Sequence, residues 1–152
     1  MDERAEPRQT AGDRVATNRW PSLVVVLGAL GAWSIVVPYL GPVLGLELDV
    51  AQNVEVVDHV VPGVLIVACS AALLSLLRRD QPGSVVALGL ACAIALGGLW
   101  IAATHLPLLR DASRGIVPWG TACFHTASGL IILALALPLV RHTARMPEPP
   151  SA

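Results

Sequence analysis

The sequence predicts an all-α integral membrane protein, an antiparallel four-transmembrane-helix bundle with both termini in the cytoplasm. Three observations predict it. Of the 152 residues, 55% are hydrophobic and 14% are charged, whereas a soluble domain carries about 25% charged residues. The charge gathers in the two ends of the chain and the short connections between four apolar runs. Each run has about 20 residues or more, enough to cross ~30 Å of hydrocarbon as a helix. A soluble bundle would need a polar stripe on every helix, and residues 85–104 carry no charge on any face.

Residues 1–19 mix acids and arginines without an apolar run, so a disordered cytoplasmic tail is expected there. The transmembrane domain is expected over residues 20–141, with spans at about 21–44, 55–77, 85–106 and 118–139. Trp20 stands at the edge of the first run, where an interface anchor would sit. Pro21 suits a first helical turn, where its missing N–H is no loss. The run is too long for the core of a signal peptide. Gly41, Pro42 and Gly45 argue that this helix breaks near residue 44.

A connection carrying Glu47 and Asp49 leads to the second span, which stops at Arg78, Arg79 and Asp80. Gln81-Pro82-Gly83-Ser84 reads as a tight turn. The third span is expected to close at Pro107, followed by a connection over residues 108–117. The fourth starts at Pro118 and ends near Leu139. Residues 142–152, rich in proline, are expected to form a second disordered cytoplasmic tail.

Arginine sets the orientation. Threading four helices puts eight arginines (Arg4, Arg8, Arg14, Arg19, Arg78, Arg79, Arg141, Arg145) on one side and two (Arg110, Arg114) on the other. The positive-inside rule then places the arginine-rich side in the cytoplasm of a plasma-type membrane.

Helices in lipid hold together by close packing at small residues. Gly28 and Ala32, Ala68 and Ala72, Gly89, Ala93 and Gly97, and Thr121 and Gly129 are the candidates. They could close one bundle or face a homo- or hetero-oligomeric partner. The formal net charge of −1 offers no basic surface for nucleic acid. Lysine is absent. Cys69, Cys92 and Cys123 lack a CxxC spacing and read as buried free thiols.

The residues that could carry chemistry converge in depth rather than in a local motif. His59 starts the second span, His105 ends the third, and His125 lies inside the start of the fourth. Antiparallel threading puts all three in the outer third of the membrane. His125 is about 10 Å below the start of its helix. Glu55 precedes His59 by four residues, on the same face of an α-helix, whereas the adjacent Asp58 points elsewhere.

Imidazole and carboxylate together suit Zn, Cu, Ni or Fe, so Glu55, His59, His105 and His125 are the metal-ligand candidates. Two of the histidines could instead hold haem iron, or pass protons. Against this, histidines at helix ends reach water and headgroups, and that interfacial role is the expectation for His59 and His105. His125 is deeper, where polar groups cost more and more often have a function. No HExxH, CxxCH or GxSxG motif is present.

Trp100, Trp119 and Tyr39 fit an outer aromatic belt, His142 a headgroup-facing position, and Trp33 a packed one near mid-membrane. No span has a charge near its middle, which argues against a conducting path within one copy. The sequence reads best as a small membrane subunit or accessory protein that packs against partners. A metal- or haem-binding redox protein with an outer-side site is the main alternative, and a small oligomeric transporter a further one. The first two readings differ in whether the histidines meet.

Overall fold

The computed structural model describes residues 19–45, 54, 56–79 and 84–145. The expected tails beyond these limits, the first connection at 46–53 and the turn at 80–83 lie outside the described residues. Four helices run antiparallel: α1, Arg19–Leu44; α2, Val61–Arg78, entered through a π-helical turn at Val56–Val60; α3, Val85–Ser113; and α4, Trp119–Ala144. All four are long and apolar enough to cross a membrane. Their outward faces carry large apolar side chains, among them Val25, Val64, Leu96, Leu130 and Leu137. Such a surface needs lipid around it. One end of the bundle, the arginine end, carries Arg19, Arg78 and Arg141, and the other, the histidine end, carries His59, His105 and His125.

Glycine sets the helix spacing. In the α1–α2 hairpin, a Cβ on Gly63 would lie 2.8 Å from the Gly31 carbonyl oxygen. In the α3–α4 hairpin, a Cβ on Gly98 would lie 2.8 Å from the Leu133 nitrogen and 3.0 Å from the Gly129 oxygen. Backbones approach this closely only where neither chain carries a side chain. Gly97 turns toward α2, where Ile66 fills the space its missing Cβ leaves. The core of the arginine half is apolar around Val24, Leu27, Leu73, Ala87, Ala91, Ile94, Ala136 and Leu139, and the buried Thr143 hydroxyl there donates to the Leu139 carbonyl of its own helix.

Several expected details are corrected. Gly97 and Gly129 are buried contacts, but Ala32, Ala68, Ala72 and Gly89 face outward. On α1 the expected Gly28 faces Ser70 of α2, but the next contact falls on Gly31 rather than Ala32, and on α3 the contact reaches the expected row only at Gly97. Trp33 is 39% exposed and faces outward instead of packing between helices. Cys69 is a buried thiol as expected, whereas Cys123 is exposed. Trp100, Trp119 and Tyr39 are all exposed, as belt residues should be.

Pro107 does not close α3, which continues to Ser113. Its ring faces outward, so it forfeits a backbone hydrogen bond without displacing a neighbour. The helix ends where Gly115 adopts φ +73°. There the Gly115 N–H donates to the Ala112 carbonyl and the Ile116 N–H to that of Asp111, both at 3.0 Å, the pairing of a Schellman motif. Pro138 likewise faces outward, and α4 runs past Leu139 to Ala144.

Candidate metal centre

The π-helical turn before α2 follows from Pro62, which lies at the start of the α-helix and lacks an N–H. Its ring would press on the carbonyl four residues back, and widening the preceding turn relieves that pressure. The turn carries Asp58 and His59. His59 comes to rest against His105 of α3 and His125 of α4, with exposures of 2%, 4% and 1%. The interfacial role expected for His59 and His105 is therefore not what the fold provides.

The three rings form a compact triangle. Centroids lie 4.5 Å apart for His59–His105, 5.1 Å for His59–His125 and 5.2 Å for His105–His125. One nitrogen from each ring can be chosen so that all three lie within 4.8 Å of one another. His59 Nε2 and His125 Nδ1 are 3.0 Å apart, a hydrogen bond in which one ring donates to the other. The His105 Nδ1 lies 2.8 Å from the Ile101 carbonyl oxygen. A carbonyl can only accept, so Nδ1 carries the proton and Nε2 presents its lone pair. The Thr104 hydroxyl, 3.0 Å from the same Nδ1, supports this arrangement.

The backbone around the cluster is also tied down. The Thr126 hydroxyl of α4 donates to the His105 carbonyl at 3.1 Å, and that of Ser128 to the His125 carbonyl at 2.7 Å. The close approach of Gly129 to Gly98 and Ala102 sets the separation of the two rings, since Gly129 is one turn from His125 and Ala102 one turn from His105. His59 Nδ1 is the exception to this satisfaction: it is buried and has no hydrogen-bond partner among the described residues.

Of the four ligand candidates, His59, His105 and His125 meet, whereas Glu55 lies outside the described residues. His142 lies half-buried at the arginine end. It stacks on Trp20 with ring centroids 4.1 Å apart and planes 8° apart, joining the first helix to the last.

Three buried histidines thus cluster within metal-coordination distance inside a four-helix membrane bundle. Comparison of the chain with protein-family models, with curated proteins and with solved structures yields no match.

Proposed function

We propose that this protein is a membrane-embedded transition-metal binder whose ion is held by His59, His105 and His125. The observation that carries the reading is the convergence of three buried imidazoles from three separate helical segments. Burying three polar rings in an apolar bundle is costly unless they are put to use. A tetrahedral ion with metal–nitrogen distances of about 2.0–2.1 Å holds its ligand nitrogens ~3.3 Å apart. The His59–His125 pair, at 3.0 Å, is already near that spacing, and modest ring rotation closes the rest. The ion would take the place of the hydrogen shared by those two rings, with the donor ring changing tautomer so that its proton sits on its other nitrogen.

Among the described residues the donor set is all imidazole, which suits copper and zinc. Three protein ligands leave a fourth position for an exchangeable group. Haem is a poorer fit than an ion. His59 and His125 bond each other directly, leaving no gap for a macrocycle between them.

The subunit reading draws less support. The glycines best suited to partner contact, Gly31, Gly63, Gly98 and Gly129, are taken up by packing within one chain. A transport path within one copy is opposed by the apolar core that fills the arginine half. The excess of arginine at that end supports placing it in the cytoplasm. The candidate site would then lie toward the outer surface of a plasma-type membrane.

The test is elemental analysis of detergent-purified protein after loading with Cu or Zn and removal of excess ion. About one ion per chain is expected, falling below a tenth of that when all three histidines are changed to alanine. A single change, His105→Ala, should weaken binding without unfolding the bundle. Stoichiometric loss of the ion in neither variant, or no ion in the wild type, would overturn the proposal.

A further inference from the structure

At the arginine end, the first turn of α1 and the last turns of α4 enclose a cleft of about 310 Å³. Its walls are Arg19, Trp20, Pro138, Arg141, His142 and Arg145. The Trp20–His142 stack forms one rigid aromatic side. The Arg19 guanidinium lies 4.6 Å from the centroid of the Trp20 ring. Three guanidinium groups therefore border one small volume. The carboxylates among the described residues, Asp58 and Asp111, belong to the opposite end of the bundle.

We propose that this cleft binds the phosphate of an anionic phospholipid. Guanidinium groups suit phosphate because they donate two parallel hydrogen bonds to its oxygens. The positive end of the α1 macrodipole and the negative end of the α4 macrodipole meet at this cleft and offset each other, so the three guanidinium groups carry the attraction. Position selects a lipid as the source of that phosphate. The cleft lies at the end of a membrane-spanning bundle, beside a tryptophan of the kind that anchors at headgroup level. Immediately below it Leu137 is 44% exposed and offers apolar surface to an acyl chain. A headgroup held here would bridge α1 and α4, whose ends otherwise meet through the Trp20–His142 stack.

The experiment is native mass spectrometry of the full chain in detergent, with equal amounts of phosphatidylglycerol and phosphatidylcholine. The anionic lipid should be retained preferentially, with about five-fold of the preference contributed by each arginine. The Arg141→Gln/Arg145→Gln variant should lose most of it. Arg78→Gln/Arg79→Gln, at the same end but outside the cleft, should keep it. Equal retention of the two lipids would overturn the proposal. So would an equal loss in both double variants, which would mean that general surface charge is responsible. Displacement of phosphatidylglycerol by millimolar inorganic phosphate would assign the cleft to a soluble anion and overturn the lipid. Metal occupancy at the histidines should be the same in all these variants, so the two proposals fail separately.

Discussion

Gly129→Ala adds one methyl group at the closest backbone approach in the bundle. The new Cβ would collide with the Ala102 nitrogen and would lie 2.7 Å from the Gly98 oxygen and 2.9 Å from the Ala102 Cα. All of these are backbone atoms, so no side chain can rotate away. Ordinary contact begins at 3.4 Å, so the 2.7 Å contact alone requires α3 and α4 to separate by at least ~0.7 Å there, and the collision with the Ala102 nitrogen requires more. Overpacking of this kind costs about 1–3 kcal/mol.

The same displacement reaches the histidines, because Gly129 is one helical turn from His125 and Ala102 is three residues before His105. Metal sites tolerate roughly ±0.2 Å in ligand distance, less than the forced shift. Gly129→Ala should therefore lower both the thermal midpoint in detergent and the metal affinity measured by competitive chelator titration. Gly89→Ala is the control: nothing lies within 4 Å of its added Cβ. It should leave affinity unchanged and stabilise the helix by roughly 0.5–1 kcal/mol. A Gly129→Ala protein with wild-type midpoint and wild-type affinity would refute the close packing of α3 on α4 and its link to the site.

Thr104→Val removes a hydroxyl that holds the His105 ring without touching the proposed ligand atom. Metal affinity should fall about ten-fold, the lower range for a supporting partner, with the thermal midpoint of the metal-free protein nearly unchanged. Trp20→Ala removes the stack on His142 and should destabilise by at least ~0.5–1.5 kcal/mol, the worth of an aromatic pair beyond its area. Thermal unfolding checks this, and metal occupancy should not change, since the stack lies at the opposite end from the histidines.

The four spans were legible because length and the absence of charge depend on composition alone, as residues 85–104 illustrate. The depth of the three histidines was legible too, since it needs only a count of residues from each helix end. Their meeting was not. It depends on the rotation of each helix about its axis, which a shift of one residue changes by ~100°. Two features set that rotation here, the close approach of Gly98 to Gly129 and the π-helical turn ahead of Pro62.

The prolines misled for a related reason. Pro107 and Pro138 stop a helix only if the ring has no room, and both face outward. The true end of α3 did leave a signal: Gly115, preceded by Arg110 and Arg114, has the composition of a helix C-terminus. The small-residue stripes were read at intervals of four along the chain. On α1 the contact falls instead on Gly31, one residue from the expected Ala32.

If the three histidines bind one ion, they also fasten the π-helical turn before α2 to the closely packed α3–α4 pair. Side-chain hydrogen bonds that cross between helices there include His59 to His125 and Thr126 to His105. A ligand that binds only the folded bundle stabilises it by RT ln(1 + [L]/Kd), about 4 kcal/mol at a thousand-fold excess over Kd. The thermal midpoint should therefore rise with added Cu or Zn and return to the metal-free value with a chelator. In His105→Ala, which leaves α1 and the apolar half intact, that dependence should shrink to a small residue. An equal rise in wild type and in the triple-alanine variant would mean that the ion acts elsewhere on the chain, and the centre would have to be sought away from these histidines.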